Sequence, residues 1–266
     1  MAVSGFRSVL FAVAVACLVL PGCGGGGTGG PATGKDPFAI FVNASENSGS
    51  VLFALNDDAK SGALTALKQT APVQFPFVDQ AEGGYDVSLE SSDRSEVFDA
   101  ESRVFDRDSS TLVLAFGLRD FGVEDAKRLR LGFFGADRTA PVGNRARLIV
   151  LHAYNLRAGF QTPNIDFLSA EPSDPDNLDN PQFSLTDIPY GQARVITVDV
   201  DPVAANALLW VVKRNDADAR LSQAVRPSPA LKAGSIYLVV VSGLEDADAD
   251  TRDATLTFLP IPVQAG

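Results

Sequence analysis

From Pro37 onward the chain is a succession of short β-branched and aromatic runs broken by Gly, Pro, Asp and Asn. Tyr85-Asp86-Val87-Ser88-Leu89 and Arg128-Leu129-Arg130-Leu131 alternate with period two, the pattern of a strand with one dry and one wet face. Leu238–Val241 is apolar throughout, which predicts a central strand covered on both faces. The pattern predicts a first set of strands over Ala39–Ala44, Ser50–Leu55, Val73–Val78, Tyr85–Leu89, Glu101–Phe105, Ser110–Gly117 and Arg128–Phe134. A second set is predicted over Ala146–Ala153, Asn164–Ser169, Gln182–Ile188, Ala193–Asp199, Ala207–Lys213, Ser235–Ser242 and Ala254–Leu259. Helix signals are few. Ala59–Gln69 carries helix formers around an interrupting Gly62, and Pro202–Leu209 has the makings of one turn.

The two sets predict an all-β chain of two tandem immunoglobulin-like β-sandwich domains, over residues 37–138 and 144–262. The junction falls in Ala136–Arg145, where turn formers replace any apolar stripe. The halves match in order. A first strand ends in a small polar turn, a second in an acidic turn, and a third precedes a Gly turn and a further strand (Phe75–Leu89, then Phe183–Val198). A single long sandwich or barrel is the other all-β arrangement the pattern permits.

The first residues read as an address. Arg7 is the only charge before an apolar run, Val9–Leu20, that is short of the roughly 20 residues of a membrane-spanning helix and suits an export signal. The run ends in Leu20-Pro21-Gly22-Cys23, which resembles the lipobox of bacterial lipoproteins. The resemblance implies a signal peptide over residues 1–22 and a mature chain beginning at a lipidated Cys23. A thioether-linked diacylglycerol, with two acyl chains, and one amide-linked chain would then hold the protein to a membrane, each buried methylene contributing about 0.8 kcal/mol. A plain secretory signal is the alternative. Residues 23–36 follow as a Gly-rich tether. By the same resemblance, Gly24 after the cysteine implies the outer membrane in a Gram-negative host.

A second resemblance rests on Arg147–Ala153 (RLIVLHA), Pro163–Phe167 (PNIDF), Ile188-Pro189-Tyr190-Gly191 and Lys232–Val240 (KAGSIYLVV). Together these are similar to the domain-of-unknown-function 4397 (DUF4397) family over about Arg145 to Pro260. The first half departs from it, with Asn43-Ala44-Ser45 in place of His-Ala and Asp108-Ser109 in place of the Ala-Gly turn. The resemblance implies an immunoglobulin-like sandwich of exported or anchored bacterial proteins, often in tandem, and no reaction.

Composition narrows the chemistry. Lys plus Arg number 22 against 33 Asp plus Glu, a formal net charge of -11, so nucleic acid is not an expected partner. The one His and two Cys, both cysteines before residue 24, leave no ligand set for a His/Cys zinc site. No cofactor is expected. His152 closes a predicted strand and reads either as a general base or as a side chain tied to a turn carbonyl. Asp246, Asp248 and Asp250 offer the alternating oxygen donors of a calcium loop, without its twelve-residue pattern or closing Glu. Trp210 lies in an apolar run and is expected in a core. The resulting expectation is a non-catalytic envelope lipoprotein, a structural, adhesive or protein-binding module with an envelope protein partner. A small-ligand or carbohydrate-binding module is the second reading, and a carboxylate-dependent hydrolase the third.

Overall fold

Strand β1 (Phe38–Asn43) has no polar face. Ala39 and Phe41 enter one apolar core while Ile40 and Val42 enter another. A strand dry on both sides belongs inside a stack of sheets. The computed structural model shows that stack and describes residues 34–79, 82–119, 128–156, 162–200, 207–213, 216–245 and 254–264.

The first half continues with β2 (Val51–Leu55), β3 (Asp58–Ala59), β4 (Lys68–Gln69), β5 (Val73–Gln74), β6 (Tyr85–Ser91), β7 (Val97–Arg103), β8 (Ser110–Phe116) and β9 (Arg130–Gly135). One sheet runs β3-β2-β6-β7; the facing sheet runs β4-β1-β8-β9, with β5 also on β1. The second half holds β10 (Arg145–His152), β11 (Asn155–Leu156), β12 (Ile165–Ala170), β13 (Ser184–Ile188), β14 (Ala193–Asp199), β15 (Leu208–Lys213), β16 (Asp216–Arg220), β17 (Ile236–Ser242), β18 (Leu244–Glu245) and β19 (Thr255–Ile261). Its sheets run β13-β12-β15-β16 and β14-β10-β17-β19, and β11 pairs with β18. The chain is an all-β sandwich protein.

Both halves follow one plan. The opening strand pairs in parallel with a late strand, β1 with β8 and β10 with β17, which then pairs antiparallel with the closing strand. Counterparts are thus β1 and β10, β2 and β12, β3 and β13, β6 and β15, β7 and β16. This corrects one expected match. Tyr85–Leu89 lies in the sheet of β2, whereas Ala193–Asp199 pairs with β10, as the short β4 and β5 pair with β1. A Gly turn before an alternating run looks the same in sequence whichever sheet the run joins.

Three cores follow one another through the stack, and a fourth, of Leu168, Ala170, Leu178, Trp210 and Val212, covers the other face of β12 and β15. Phe41, Phe53, Val87, Leu89 and Val113 pack inside the first sandwich. Val150, Phe167, Val211, Val239 and Phe258 pack inside the second. The third lies between the halves: Ile40, Val42, Leu112 and Leu114 meet Ile149, Leu151, Leu238 and Val240. Strand β17, whose residues 236–241 carry no charge, therefore feeds alternate side chains to two cores, 237, 239 and 241 to one and 236, 238 and 240 to the other.

The opening strands of the two halves run in the same direction. Near the start of β1 and β8, Arg138 donates from Nε to Pro262 O at 2.8 Å, lies over the Phe38 ring at 5.4 Å and reaches Ser110 Oγ at 3.5 Å. Past the end of β1, Glu46 accepts from Ser242 Oγ at 2.7 Å and Thr255 Oγ1 at 3.0 Å. Gly34 and the 136–144 junction share the first of these ends. That junction is tied down, since Arg147 donates to Asp137 O at 2.6 Å and Val200 N to Asn144 O at 2.7 Å.

Ala59–Gln69 is extended and bent, with Leu64 bridging Val51, and contains no helix. Gly62 at φ 61° and Leu67 at φ 55° are incompatible with a right-handed helix. The Val73–Val78 strand is shorter than expected, its ladder limited to Val73 and Gln74.

Candidate functional site

His152 ends β10 with no exposed surface. Its Nδ1 lies 3.0 Å from Ile188 O, and a carbonyl can only accept, so the proton sits on Nδ1. Nε2 is sealed from solvent without a hydrogen-bond donor among the described residues. Burial pushes the pKa down to about 4, against a smaller opposing pull from the carbonyls of Ile188, Tyr154 and Pro189. The ring is neutral at pH 7 and acts as a tie between a strand end and a turn.

The first half makes the same tie with an amide. Asn43 ends β1, and its Nδ2 donates to Leu64 O at 3.1 Å and to Ser48 Oγ at 2.9 Å. The backbone repeats the correspondence: Leu67 N donates to Asn43 O at 2.7 Å, and Gly191 N to His152 O at 2.8 Å. Leu67 and Gly191 both take positive φ, 55° and 72°. Asp108 at φ 58° likewise stands where the second half has Gly234 at φ 73°.

Other predicted residues resolve into packing. Trp210 is 3% exposed, donates from Nε1 to Pro175 O at 2.8 Å and carries Arg220 over its ring at 4.6 Å. Asp166, the acid in the PNIDF motif, is buried and accepts from Asp187 N at 2.8 Å beside a register shift in β12. Asp246, Asp248 and Asp250 lie outside the described residues, as do Cys23, the signal peptide and the tether up to Thr33. Among the described residues no group of three His, Cys, Asp or Glu could hold a metal ion.

A cleft of about 390 Å³ opens on the side of the stack, where β7 and β9 meet the β13–β14 turn of the other half. Its floor is Phe116, against which a Cβ on Gly132 or Gly191 would come to 2.7 or 2.6 Å. Only glycine admits so close an approach, and Gly191 also needs its left-handed φ. Arg130 lies over Phe116 at 4.9 Å and within 5.9 Å of Tyr190. Tyr190 in turn meets Phe116 at 5.8 Å and His152 at 5.7 Å, both edge to face. On the wall from β7, Asp99 Oδ2 accepts the Leu131 N–H of β9 at 2.8 Å, and Glu101 pairs with Arg103 at 3.6 Å.

This cleft was not singled out by the sequence. Its partners come from five strands and a turn, drawn from distant parts of the chain. The available signals were Gly132 inside an alternating strand and Gly191 after Tyr190.

The end of the stack away from Gly34 gathers the Ala44–Gly49 connection, the exits from β8 and β17, and the turn at Gly191. There Arg119 donates to Ser48 O at 3.3 Å, pairs with Glu96 at 3.3 Å and lies over Phe98 at 4.9 Å. Glu46, Asn47, Gly117, Ala153 and Gly243 line a smaller hollow of about 290 Å³ between the halves.

No family model matches the chain, and no curated protein matches it. Among solved structures, it is similar to the crystal structure of "a putative cell adhesion protein" from Bacteroides ovatus, at 11% identity and a TM-score of 0.25, over 88% of this chain and 99% of that one. No helix among the described residues is long and apolar enough to cross a membrane.

Proposed function

We propose that this chain is a non-catalytic envelope lipoprotein, anchored through Cys23, that presents a rigid pair of β-sandwiches to an envelope protein partner. The observation that carries the reading is directional. In both halves the described exits from the opening strand and from its parallel partner, β1 and β8 or β10 and β17, lie at the end opposite Gly34, where the chain from Cys23 joins the fold. Connections on a rigid scaffold are the usual seat of recognition. The apolar core between the halves gives those exits one fixed spacing. A sealed, neutral His152 fits a structural tie better than a general base, which needs reach to a substrate proton. The Lys232–Val240 and RLIVLHA motifs support assigning the second half to a DUF4397-like class.

Two experiments test this. Cys23→Ser is expected to abolish acyl labelling and to move the protein from the membrane fraction to the soluble fraction; unchanged fractionation would remove the anchor from the reading. Crosslinking on intact cells, with capture through a C-terminal tag, is expected to recover one stoichiometric envelope protein. Charge reversal at Glu46 and Arg119 should lower that yield at least tenfold, while reversal at Lys35 and Lys232 should not. The opposite pattern would overturn the assignment of the far end.

A further inference from the structure

The side cleft has an unusual balance of charge. The Arg130 side chain makes no ion pair and no hydrogen bond among the described residues, and its Nε is closed off from solvent. The guanidinium lies over Phe116 and near Tyr190, and its two terminal Nη groups are the donors left to face a ligand. The wall contributed by β7 carries acceptors instead, Asp99 and Glu101, at alternate positions of one strand. Each Asp99 oxygen accepts one backbone N–H, from Ala100 at 2.9 Å and Leu131 at 2.8 Å, and a carboxylate oxygen can accept more than one. Gln192, exposed on the rim, offers both a donor and an acceptor.

This lining discriminates among ligands. An anion would meet Arg130 but be repelled by Asp99 and Glu101. A cation would meet the reverse. A purely apolar ligand would strip water from all of these groups and return no hydrogen bonds, which is costly. A neutral polyhydroxyl compound suits every wall, because each hydroxyl both donates and accepts. Half-buried Tyr190 adds a flat apolar surface beside the polar groups. A volume of about 390 Å³ is of the size that holds a small ligand.

We infer that the cleft between β7, β9 and the β13–β14 turn is a binding site for a neutral saccharide. Arg130 and Gln192 donate to its oxygens, and Asp99 and Glu101 accept from its hydroxyls. The inference rests on reading the chain as a binding module and adds a ligand class to it.

The test is saturation-transfer difference NMR on the full chain in detergent, with maltose, cellobiose and chitobiose as probes and glutamate and lysine as charged controls. At least one disaccharide is expected to show transfer, and neither amino acid. Arg130→Met keeps the apolar cover over Phe116 and removes the donors; it should weaken saccharide binding at least tenfold. Gln192→Ala, on the exposed rim, should weaken it severalfold and decides the matter if Arg130→Met fails to fold. Absence of transfer from all three disaccharides, undiminished binding by both variants, or binding of an amino acid instead would overturn the assignment. Crosslinked capture of a protein partner without saccharide transfer would leave the interaction module standing and remove the saccharide site. Saccharide transfer without a protein partner would do the reverse.

Discussion

Burial decides the chemistry of single residues here. His152 has a folded-state pKa of about 4 against an ordinary value of 6.5. As the pH falls below 6.5 the unfolded chain takes up a proton that the folded chain refuses, so stability declines until about pH 4 and then levels. A shift of that size corresponds to about 3 kcal/mol. Urea midpoints at pH 7 and pH 4.5 should therefore separate more in the parent than in His152→Gln, which keeps a donor for Ile188 O and carries no charge; equal separations would contradict the pKa. Gly191→Ala should cost at least about 2 kcal/mol, because it combines a left-handed φ with a Cβ at 2.6 Å from Phe116. Sequence marked His152 and the Gly191 turn as notable, and the strand-end tie was one of the two readings open for His152. It could not show that Asn43 performs the same tie, since an amide and an imidazole become interchangeable only once both are seen facing a turn carbonyl.

Strands were the most legible elements, because period two survives in a sequence whatever the tertiary context. β8, β10, β14, β15 and β17 fall within one or two residues of their predicted spans. The short β3 and β4 were hidden at the two ends of the segment 58–69, where polar composition and helix formers gave no alternation, and their two-residue ladders form on the edges of β2 and β1. Edges are also where elements need protection. β9 ends its sheet, and Asp99 of β7 caps the outward N–H of Leu131. Asp99→Ala should lose about 1.5–3 kcal/mol, the range for a hydrogen bond to a charged group. It should also raise self-association by light scattering; an unchanged urea midpoint would show that the cap is idle.

The whole molecule was the least legible scale. Apolar residues on both faces of β1, β8, β10 and β17 did signal burial, but a sequence does not say which sheet covers which face. That assignment needs the parallel pairings of β1 with β8 and β10 with β17, which join residues far apart in the chain. The shared core predicts one cooperative unit. Unfolding followed by far-UV circular dichroism and by the fluorescence of Trp210, which lies in the second half, should coincide. Leu112→Ala is buried between the halves but belongs to the first; it should lower the Trp210 midpoint by the equivalent of about 2–5 kcal/mol. A Trp210 midpoint indifferent to that change would mean the halves unfold separately.

The common direction of β1 and β10 has a consequence for valence. Modules joined end to end lengthen a stalk and leave one set of tips at its head. Modules joined side by side add no length and double the tips, at a separation frozen by the core between them. For such a pair the second contact with a repetitive partner is intramolecular, and the ordering cost of aligning two sites is already met in the fold. Its avidity would then select the repeat distance of the partner as sharply as any side chain selects its chemistry.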